Sequence, residues 1–547
     1  MSVDSGEVLG VLGPVEAGKS TLANIISSFA PQNTGGSVDG ELRVAGRDPL
    51  TADDNAVAMV FEDYSAQMTQ ARVIDEVIAP LANRGLDRVA AKERARDLLD
   101  QTQLLDVKEK FVWELSGGQQ QRLAIAAALG IDPDVLVFDT ATDMLDPEGK
   151  EDVANLIASL SGSTTLVVTA NKPDDLVGIA DTVLVINDGK QVTVDTPEAV
   201  LRDTELLRRI DVGLPLCLDV AESVGLSAQP LTPEEFADCL DDRSPTLGEA
   251  ANLESDTAAA DRTSIEVANA KYEYGDGTVA VNGIEMNVRD GEVHAVIGGN
   301  GAGKSTYSRL LVGLLSPDAG RIVVSGTETD ESTAAKLATS IGIALQNPSK
   351  QLSEQTVLEE LRFPLENRQY KSGLLPFSKE KQYDEAYIER RVEAVQNLIG
   401  LDADLLDSDP VFLPQGTQRL LTIGAALATD PDAMVLDEPT AGLDARNEAI
   451  VRDTIAEMKA DGMAIVLIDH DMDFIAETAD RITVLDDGQI VQQGKPAEIF
   501  ARDNWSWLTE HSMRPPRVAR LADKVGCFAL TTDELTATLT EKRGETA

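Results

Sequence analysis

Cysteine, aromatic residues and long apolar runs are scarce in this sequence of 547 residues. The three cysteines, Cys217, Cys239 and Cys527, lie far apart without CxxC spacing, which argues against a disulfide framework or a cysteine-based metal site. No apolar run approaches the ~20 residues that span a bilayer, and the N-terminal stretch lacks the basic and apolar regions of a secretion signal. We therefore expect a soluble, non-secreted protein, and its length suggests either three or four domains or two large α/β units with smaller appendages.

Basic residues are also few, because 47 Lys and Arg stand against 94 Asp and Glu and give a formal net charge of −47. The acidic residues are spread along the whole chain rather than clustered as a docking site for a basic partner. Spread acidity is typical of adaptation to a high-salt cytoplasm, where the Debye length falls to ~3 Å at 1 M salt and charge repulsion is screened. The same charge disfavours binding to the phosphate backbone of a nucleic acid.

The phosphate-binding pattern GxxxxGK[ST] is present twice, at residues 13–21 and 298–306. Each copy follows a Val/Ile/Leu-rich stretch that predicts a buried strand, and the backbone N–H groups of the next helix would face a polyphosphate. The lysine of each loop would reach the outer phosphates. The phosphate-binding residues predicted in the two loops are Gly13, Gly18, Lys19, Ser20 and Thr21, and Gly298, Asn300, Gly301, Gly303, Lys304, Ser305 and Thr306.

The same series of segments follows both loops, so the chain is built on an internal repeat. After each loop come a short strand with a polar turn, a helical stretch, a segment reading LSGGQQQRLAIAAAL or LPQGTQRLLTIGAAL, an acid-ended strand and a last apolar strand. Continuous Val/Ile/Leu runs that alternate with helical patterns predict an α/β fold, with a mostly parallel sheet covered on both faces.

This order of motifs resembles that of the ATP-binding-cassette (ABC) transporter ATPases, which are P-loop NTPases with a helical signature subdomain. The resemblance covers nearly the whole chain and implies two tandem nucleotide-binding domains with ATP and Mg²⁺ as cofactors. In that family two cassettes pair head to tail, so that each ATP lies between the phosphate loop of one cassette and the signature of the other. The resemblance therefore implies an intramolecular pairing of the two cassettes.

ATP hydrolysis requires a metal site, an oriented water and donors around the charge that develops on the phosphate. The second copy keeps residues for all three. By resemblance, Glu438 is the general base, Gln346 touches metal and water, and His470 is the switch histidine at the γ-phosphate, with Lys304 as a further catalytic residue. Tyr274 resembles the aromatic residue on which adenine stacks. The metal ligands predicted in the two copies are Ser305, Gln346 and Asp437, and Ser20 and Asp139.

The first copy keeps the loop lysine and serine and the strand-end aspartate, so we expect it to bind Mg-nucleotide. The base position is Thr140, the switch position is Ala170 and the glutamine position is Glu62. Loss of a general base alone costs ~10²–10⁴ in rate. Only twelve residues precede this loop, so the chain has no counterpart of Tyr274 there, either because the coding start is misassigned or because that platform is absent.

The signature segments show the opposite pattern. The ATP-contacting residues predicted in the first signature are Ser116, Gly117, Gly118 and Gln119. The second signature begins with Pro414 and Gln415, and so loses the hydroxyl and gains a bulky side chain. Crossed pairing would give one complete site, from the second loop and first signature, and one site damaged on both sides. Random drift in a dispensable copy is the alternative, but drift would have no reason to spare the first signature.

Four flanking segments carry a narrower resemblance: residues 73–85 and 357–368 after the glutamine position, and residues 213–225 and 514–526 beyond each cassette. They look like the glutamine-loop segment and helical extension of energy-coupling-factor (ECF) importer ATPases, the vitamin and cobalt or nickel uptake group. The resemblance implies a transmembrane coupling subunit and a substrate-binding membrane subunit as partners. It also implies a peripheral location on the cytoplasmic face of the cell membrane.

The expected domains are a first cassette at 1–205, its helical extension at 206–240, an acidic linker at 241–262, a second cassette at 263–500 and a C-terminal helical extension at 501–547. Generic surface helices are the alternative interpretation of the flanks. Two other functions stay open, a tandem sugar-importer ATPase, which lacks these extensions, and a tandem-cassette translation factor acting on ribosomes. The latter class keeps two competent sites and a long charged linker, neither of which is expected here.

Overall fold

The computed structural model describes residues 1–33, 35–48, 56–61, 63–115, 117–140, 147–240, 262–367, 370–372, 379–381 and 383–545. The chain divides into two compact units, Met1–Arg243 (unit 1) and Ser244–Ala547 (unit 2). The boundary falls in the acidic segment expected to be a linker, of which residues 241–261 lie outside the described residues. None of the helices in the described ranges is long and apolar enough to cross a membrane.

Unit 1 combines a six-stranded sheet with surrounding helices. Its strands are β1 Val8–Leu12, β2 Val57–Val60, β3 Val135–Phe138, β4 Thr165–Ala170, β5 Thr182–Asn187 and β6 Lys190–Asp195. Its helices are α1 Lys19–Ile26, α2 Phe29–Gln32, α3 Val73–Asn83, α4 Arg88–Gln101, α5 Gly117–Leu129, α6 Pro147–Leu160, α7 Pro197–Leu201, α8 Thr204–Arg209, α9 Leu216–Ser223 and α10 Pro233–Cys239.

The sheet of unit 1 has the strand order β2-β3-β4-β1-β5-β6, with every pair parallel except the β5–β6 hairpin. Alternate residues of β1 enter different cores, because side chains along a strand point to opposite faces. Val8 and Leu12 pack in one hydrophobic cluster, whereas Leu9 and Val11 pack in another. The expected parallel sheet, buried on both faces, is confirmed.

Unit 2 repeats this sheet and adds further strands. Its strands are β7 Thr263–Glu273, β8 Val279–Arg289, β9 Val293–Ile297, β10 Ala319–Val324, β11 Thr327–Glu328, β12 Ile341–Ala344, β13 Tyr370–Ser372, β14 Lys379–Lys381, β15 Ala433–Asp437, β16 Ala464–Ile468, β17 Arg481–Asp486 and β18 Gln489–Gly494. Its helices are α11 Lys304–Leu311, α12 Ala334–Leu337, α13 Val357–Asn367, α14 Glu385–Leu398, α15 Gln415–Leu427, α16 Ala445–Ala460, α17 Met472–Thr478, α18 Pro496–Ile499, α19 Trp505–Glu510, α20 Arg517–Lys524 and α21 Thr532–Glu545.

The main sheet of unit 2 has the order β12-β15-β16-β9-β17-β18, which matches that of unit 1 strand for strand. A four-stranded antiparallel sheet, β11-β10-β7-β8, and the small β13–β14 hairpin are added to it. The C-terminal helices belong to the same body, because Leu508, Met513 and Ala519 share one hydrophobic cluster with Phe474 of α17.

The parallel strands bring the repeated motifs to one edge of each sheet, because their carboxyl ends point the same way. In unit 2 the phosphate loop follows β9, the acidic pair ends β15 and the switch segment follows β16. In unit 1 the same segments follow β1, β3 and β4. Ligands of open α/β sheets bind at this edge, so each unit presents one candidate site.

Candidate functional site

Each phosphate loop turns tightly between its strand and its helix. Gly18 and Gly303, just before α1 and α11, have left-handed φ angles of 98° and 100°. A Cβ at Gly303 would come within 2.2 Å of the Ala280 carbonyl oxygen, and one at Gly298 within 2.2 Å of the Leu485 carbonyl oxygen. Only glycine fits these positions, and the tight turn leaves the helix N-terminus open to an anion.

The loop lysines fold back over their own loops in the same way in both units. Lys304 Nζ donates to the carbonyl oxygens of Gly298 at 2.7 Å and Gly299 at 3.0 Å. Lys19 Nζ donates to those of Gly13 at 2.8 Å and Pro14 at 2.7 Å. Both units therefore place a lysine ammonium group in the concave loop where phosphate oxygens would lie.

Tyr274, which follows β7, lies beside the phosphate loop of unit 2. Its hydroxyl is 3.0 Å from Thr306 Oγ1, and its ring meets Tyr272 edge-on with centroids 5.0 Å apart. The added antiparallel sheet thus carries an aromatic ring to the loop, as expected of an adenine platform. That the ring stacks on adenine stays a prediction.

The residues expected to act on the attacking water, Glu438 and Gln346, meet the expected switch histidine in unit 2. Gln346 Nε2 donates to Glu438 Oε2 at 2.7 Å, and His470 Nδ1 lies 3.8 Å from the same oxygen. They come from three different segments, after β12, β15 and β16. The structure therefore brings together the base, the glutamine and the switch histidine that the sequence indicated.

Asp437, at the end of β15, is buried next to Glu438 and under the phosphate loop. Its carboxylate accepts a hydrogen bond from Ser308 Oγ at 3.2 Å. Burial raises the pKa of Asp437 to about 6, with a further rise from the Glu438 charge, while Ser308, Lys304 and Arg309 oppose the rise. A carboxylate whose pKa is raised in this way is stabilised by a cation, so its environment suits a metal ligand.

Arg419 is a site residue that the sequence analysis missed. It is only 1% exposed, lies on the signature helix α15, and donates to the backbone carbonyl oxygens of Glu438 and, at 3.1 Å, of Gln346. It therefore ties the glutamine segment and the base segment to one helix of the same unit. The equivalent position of unit 1 is Gln121. The signal in the sequence was therefore an arginine where the LSGGQQQR segment has a glutamine.

Asp469, also missed, is a fully buried carboxylate between the base segment and the switch segment. It accepts hydrogen bonds from Thr440 Oγ1 at 2.7 Å and from the backbone N–H groups of His470 at 2.7 Å and Asp471 at 2.9 Å. Burial raises the pKa of Asp469, and the His470 charge and these donors oppose the rise. The signal in the sequence was an acid directly before the histidine.

In unit 1, Asp139 occupies the position of Asp437 and has a different set of partners. Its Oδ1 accepts from Ser20 Oγ and Thr169 Oγ1, each at 3.0 Å. Burial raises the pKa of Asp139, while those two hydrogen bonds and the Lys19 charge lower it. The loop serine and the strand-end aspartate predicted as metal ligands are therefore in direct contact.

The strand registers correct one expectation about unit 1. Val8 pairs with Leu166 in β1–β4, and its counterpart Val293 in unit 2 pairs with Ile465. Counting along both strands places Asn171, not Ala170, at the position of His470. The expected switch position was therefore wrong by one residue, since residues 165–171 align with residues 464–470 without a gap. The switch position of unit 1 therefore holds a buried amide rather than a methyl group.

Thr140 stands at the base position of unit 1, as expected. It has a left-handed φ of 43°, close to the 53° of Glu438, and its Oγ1 is buried without a hydrogen-bond partner among the described residues. The turn that presents the base is thus kept with a side chain that has no carboxylate. Glu62, the expected glutamine counterpart, lies outside the described residues.

The signature segments begin their helices at equivalent points. Gly117 and Gly118 open α5 with Gln119 next to them, while Ser116 lies outside the described residues. In unit 2, Pro414 precedes α15 and gives it no side-chain cap. A substituent on Gly416 would meet Asn447 and Leu443 at 3.1–3.2 Å, so this glycine is packed against its own unit.

The family model for ABC transporters matches residues 1–143 and 281–441, more than half of the chain. The chain belongs to the ABC transporter family. It is an ATP-hydrolysing protein with two ABC cassettes, in which unit 1 contains the first cassette and unit 2 the second. The P-loop fold expected from the repeated motifs is therefore confirmed by both the sheet topology and the family match.

Relatives of similar length align with nearly the whole chain. A Caldanaerobacter subterraneus protein named "Putative ABC transporter ATP-binding protein" is 29% identical over 98% of this chain and 94% of its own length. A Bacillus subtilis protein named "Putative HMP/thiamine import ATP-binding protein YkoD" is 26% identical over 92% of this chain and 88% of its own. A solved structure, cbiO1 from Clostridium perfringens, described as part of the ABC transporter complex cbiONQ, is 32% identical, with a TM-score of 0.40, and covers 48% of this chain.

Proposed function

We propose that ATP is hydrolysed at the second phosphate loop, and that the first holds nucleotide with little turnover. The observation that carries this proposal is the cluster of Gln346, Glu438 and His470, which meets within 2.7–3.8 Å in the second cassette. The first cassette has Thr140 and Asn171 at two of these positions. A threonine hydroxyl cannot accept a proton from water at neutral pH as a carboxylate does.

In this mechanism Glu438 Oε2 takes the proton of the attacking water while Gln346 Nε2 keeps the carboxylate and water aligned. His470 donates to the γ-phosphate oxygens as their charge develops, and Lys304 leaves its loop carbonyls for the outer phosphates. Arg419 holds the backbone of the two segments that carry the base and the glutamine. The products are ADP and inorganic phosphate.

The residues at both sites fit a magnesium ion, because they offer hard oxygen donors. Asp437 with Ser305 and Gln346 would hold it in the second cassette, and Asp139 with Ser20 in the first. The contact of 3.0 Å between Ser20 and Asp139 and the raised pKa of both aspartates support this assignment. When bound, Mg²⁺ neutralises charge on the β- and γ-phosphates.

We further propose that the cassettes pair head to tail within one chain. The support comes from the distribution of motifs, since the catalytic residues are complete in the second cassette and the LSGGQ signature in the first. Crossed pairing places both complete halves on one ATP. A covalently linked partner would be present at a high effective concentration, so pairing needs no second chain.

The transport role we propose is that of an ECF-type importer ATPase for a vitamin or transition metal. Support comes from the helices α9 and α10 after the first cassette and α19–α21 after the second, which lie in the stretches 206–240 and 501–547 expected to be ECF-like extensions. The relative named for HMP/thiamine import agrees with uptake of a small nutrient. In this role the chain binds a transmembrane coupling subunit at the cytoplasmic face of the membrane, together with a substrate-binding membrane subunit.

Affinity purification of the tagged chain from solubilised cells tests this role. We expect multi-spanning membrane proteins to co-purify in stoichiometric amounts and to stimulate ATP turnover. Recovery of ribosomes instead would favour a translation factor. Recovery of a sugar-binding importer complex would replace the ECF assignment by that of a sugar importer.

We also infer that the protein works in high salt, because a net charge of −47 must be screened for the two acidic cassettes to approach. Turnover should require molar KCl and fall as salt is removed. Full activity and an unchanged melting temperature in dilute buffer would contradict this inference.

A further inference from the structure

The C-terminal extension of the second cassette reaches its catalytic segments at two points. Arg517, the first residue of α20, donates from Nε to Asp473 Oδ2 at 2.6 Å, and the backbone N–H of Val518 donates to Asp473 Oδ1 at 3.3 Å. Asp473 lies in the first turn of α17, three residues after His470. The extension is therefore hydrogen-bonded to the helix that follows the switch histidine.

The second point of contact is the phosphate loop itself. A Cβ added to Gly299 would meet Ser512 Cβ at 3.4 Å and the His511 carbonyl oxygen at 3.5 Å. The turn at Ser512 has a left-handed φ of 57°, and His511 Nδ1 lies 2.8 Å from the Trp507 carbonyl oxygen. The extension thus lies directly beside the phosphate loop, close enough that one added methyl group would touch it.

A continuous set of hydrogen bonds leads from Arg517 to the reacting groups. The Asp471 carboxylate caps α17 by accepting the N–H groups of Asp473 at 3.0 Å and Phe474 at 3.1 Å. The Asp471 N–H is in turn bound to Asp469, which also holds the His470 N–H. A shift of α17 would therefore move the imidazole that lies 3.8 Å from Glu438.

The first cassette has a similar docking contact with a leucine at the position of the arginine. There the backbone N–H of Leu216, at the start of α9, donates to Asp174 Oδ1 at 3.2 Å. Leu216 stands at the position of Arg517, so the cassette without a catalytic base also lacks the guanidinium. The arginine is therefore present in the cassette that has the switch histidine.

We propose that the C-terminal extension of the second cassette is a clamp on the switch segment, and that Arg517 is a positioning residue for His470 through its ion pair with Asp473. This rests on the proposed assignment of turnover to the second cassette. Because α20 and α17 also share an apolar core, the ion pair orients a helix that is already docked. Its loss should change geometry at the γ-phosphate rather than the affinity for ATP.

The full chain carrying Arg517→Leu, the residue found in the first cassette, tests the proposal by steady-state ATPase kinetics. We expect kcat to fall about three- to tenfold, toward the lower end of the effects of coupled side-chain pairs, with KM for ATP nearly unchanged. The fold should hold, because an ion pair this exposed contributes little to stability. Asp473→Arg should lower kcat similarly, and combining it with Arg517→Asp should restore most of the loss. Unchanged kcat in Arg517→Leu, or additive losses in the reversed pair, would overturn the proposal.

A double-mutant cycle with His470→Ala separates positioning from general packing. If Arg517 acts through His470, Arg517→Leu should lower kcat no further once the imidazole is gone. An undiminished loss in that background contradicts the proposed route. Leu216→Ala in the first cassette is the matched control and should leave kcat unchanged, since an equal loss there would mean that both extensions act by docking alone. Glu438→Gln separates a failure of this proposal from a failure of the proposed catalytic site. If Glu438→Gln leaves turnover intact, the assignment of turnover to the second cassette is wrong, whatever Arg517 does.

Discussion

The two cassettes share their scaffolding and differ in their reacting groups. Buried Glu76 and Glu360 each accept two backbone N–H groups from the segment before their helix, at 2.6–2.9 Å. Gln67 and Gln351 each bridge the backbone of the strand before the glutamine segment, at 2.6–3.0 Å. These contacts are the same in both cassettes. The first cassette therefore keeps the local architecture of the second while it differs at the positions proposed to act on ATP.

The backbone at the base position is also alike in the two cassettes. Thr140 and Glu438 both have left-handed φ angles, which cost of order 1–3 kcal/mol for a side chain that is not glycine. Threonine is β-branched and gains no partner for its buried hydroxyl among the described residues. The turn is thus retained where its carboxylate is gone, which fits a site used to hold nucleotide rather than to hydrolyse it.

The largest expected difference between the cassettes lies at this base position. Glu438→Gln should lower kcat by about 10²–10⁴, because the carboxylate that accepts the water proton is lost while the hydrogen bond to Gln346 can be remade. Thr140→Ala should change kcat little. Phosphate release and ATP affinity, measured for both variants, decide the matter. Equal losses would mean that both loops hydrolyse ATP.

The next largest effect tests whether each cassette uses its neighbour's signature. Gly118→Asp would place a carboxylate against the γ-phosphate bound at Lys304, and this repulsion should lower turnover about 10²-fold, although every residue of the second cassette is intact. Gly416→Asp should cost turnover far less, because the proposed head-to-tail pairing would place it at the site without a base.

The melting temperature of both glycine variants must be measured to show that they fold, because a side chain on Gly416 would push against Asn447 and Leu443. Retained activity in Gly118→Asp with loss in folded Gly416→Asp would reverse the proposed pairing. Head-to-tail assembly would then have to be abandoned.

Much of the site could be predicted from sequence because its residues sit in fixed motifs at strand ends. The loop lysines, Asp437, Glu438 and Gln346 needed only the order of motifs and the rule that parallel strands end at one edge. Asn171 was missed although residues 165–171 align without a gap with residues 464–470; the strand registers, which pair Leu166 with Val8 and Ile465 with Val293, fix the equivalence.

Contacts through buried polar groups were equally hidden. Arg419 breaks the usual signature pattern, and its partners are backbone carbonyls, which no motif marks. The ion pair of Arg517 with Asp473 joins segments 44 residues apart, and nothing in either segment names the other. Sequence therefore indicated the residues that lie in motifs but not the residues that contact them through buried or distant polar groups.

A moderate effect is expected at Arg419. Arg419→Gln, which introduces the residue of the first cassette, should lower kcat about tenfold, because two carbonyls lose their buried donors and the base segment loses its anchor. Arg419→Lys should lie between this variant and wild type, since lysine keeps the charge without the fork that reaches both carbonyls. ATPase kinetics with parallel melting curves provide the measurement. Wild-type kcat in Arg419→Gln would show that the signature helix of the second cassette does not position its own base.

The smallest expected effect compares the two strand-end aspartates by stability in the absence of Mg²⁺ and nucleotide. The pKa of Asp437 is about 6 in the folded protein against 3.8 for the ordinary carboxyl, so the folded state holds a proton that the unfolded state has released between these values. The stability that the protonated carboxyl contributes is complete below pH 4 and is lost as the pH rises through 6. Asp437→Asn should therefore gain about 2 kcal/mol relative to wild type between pH 4 and pH 7.

Asp139→Asn should gain less over the same range, although burial raises the pKa of Asp139 too. Asp437 lies beside the Glu438 charge, whereas Asp139 lies beside Thr140 and accepts two hydroxyl hydrogen bonds that favour its ionised form. Denaturation in molar salt and EDTA from pH 4.5 to 7.5 measures both differences. Added Mg²⁺ should reduce the gain in each variant, because wild type alone keeps the carboxylate that binds the cation. A larger gain for Asp139→Asn would mean that the glutamate beside Asp437 does not set its charge state.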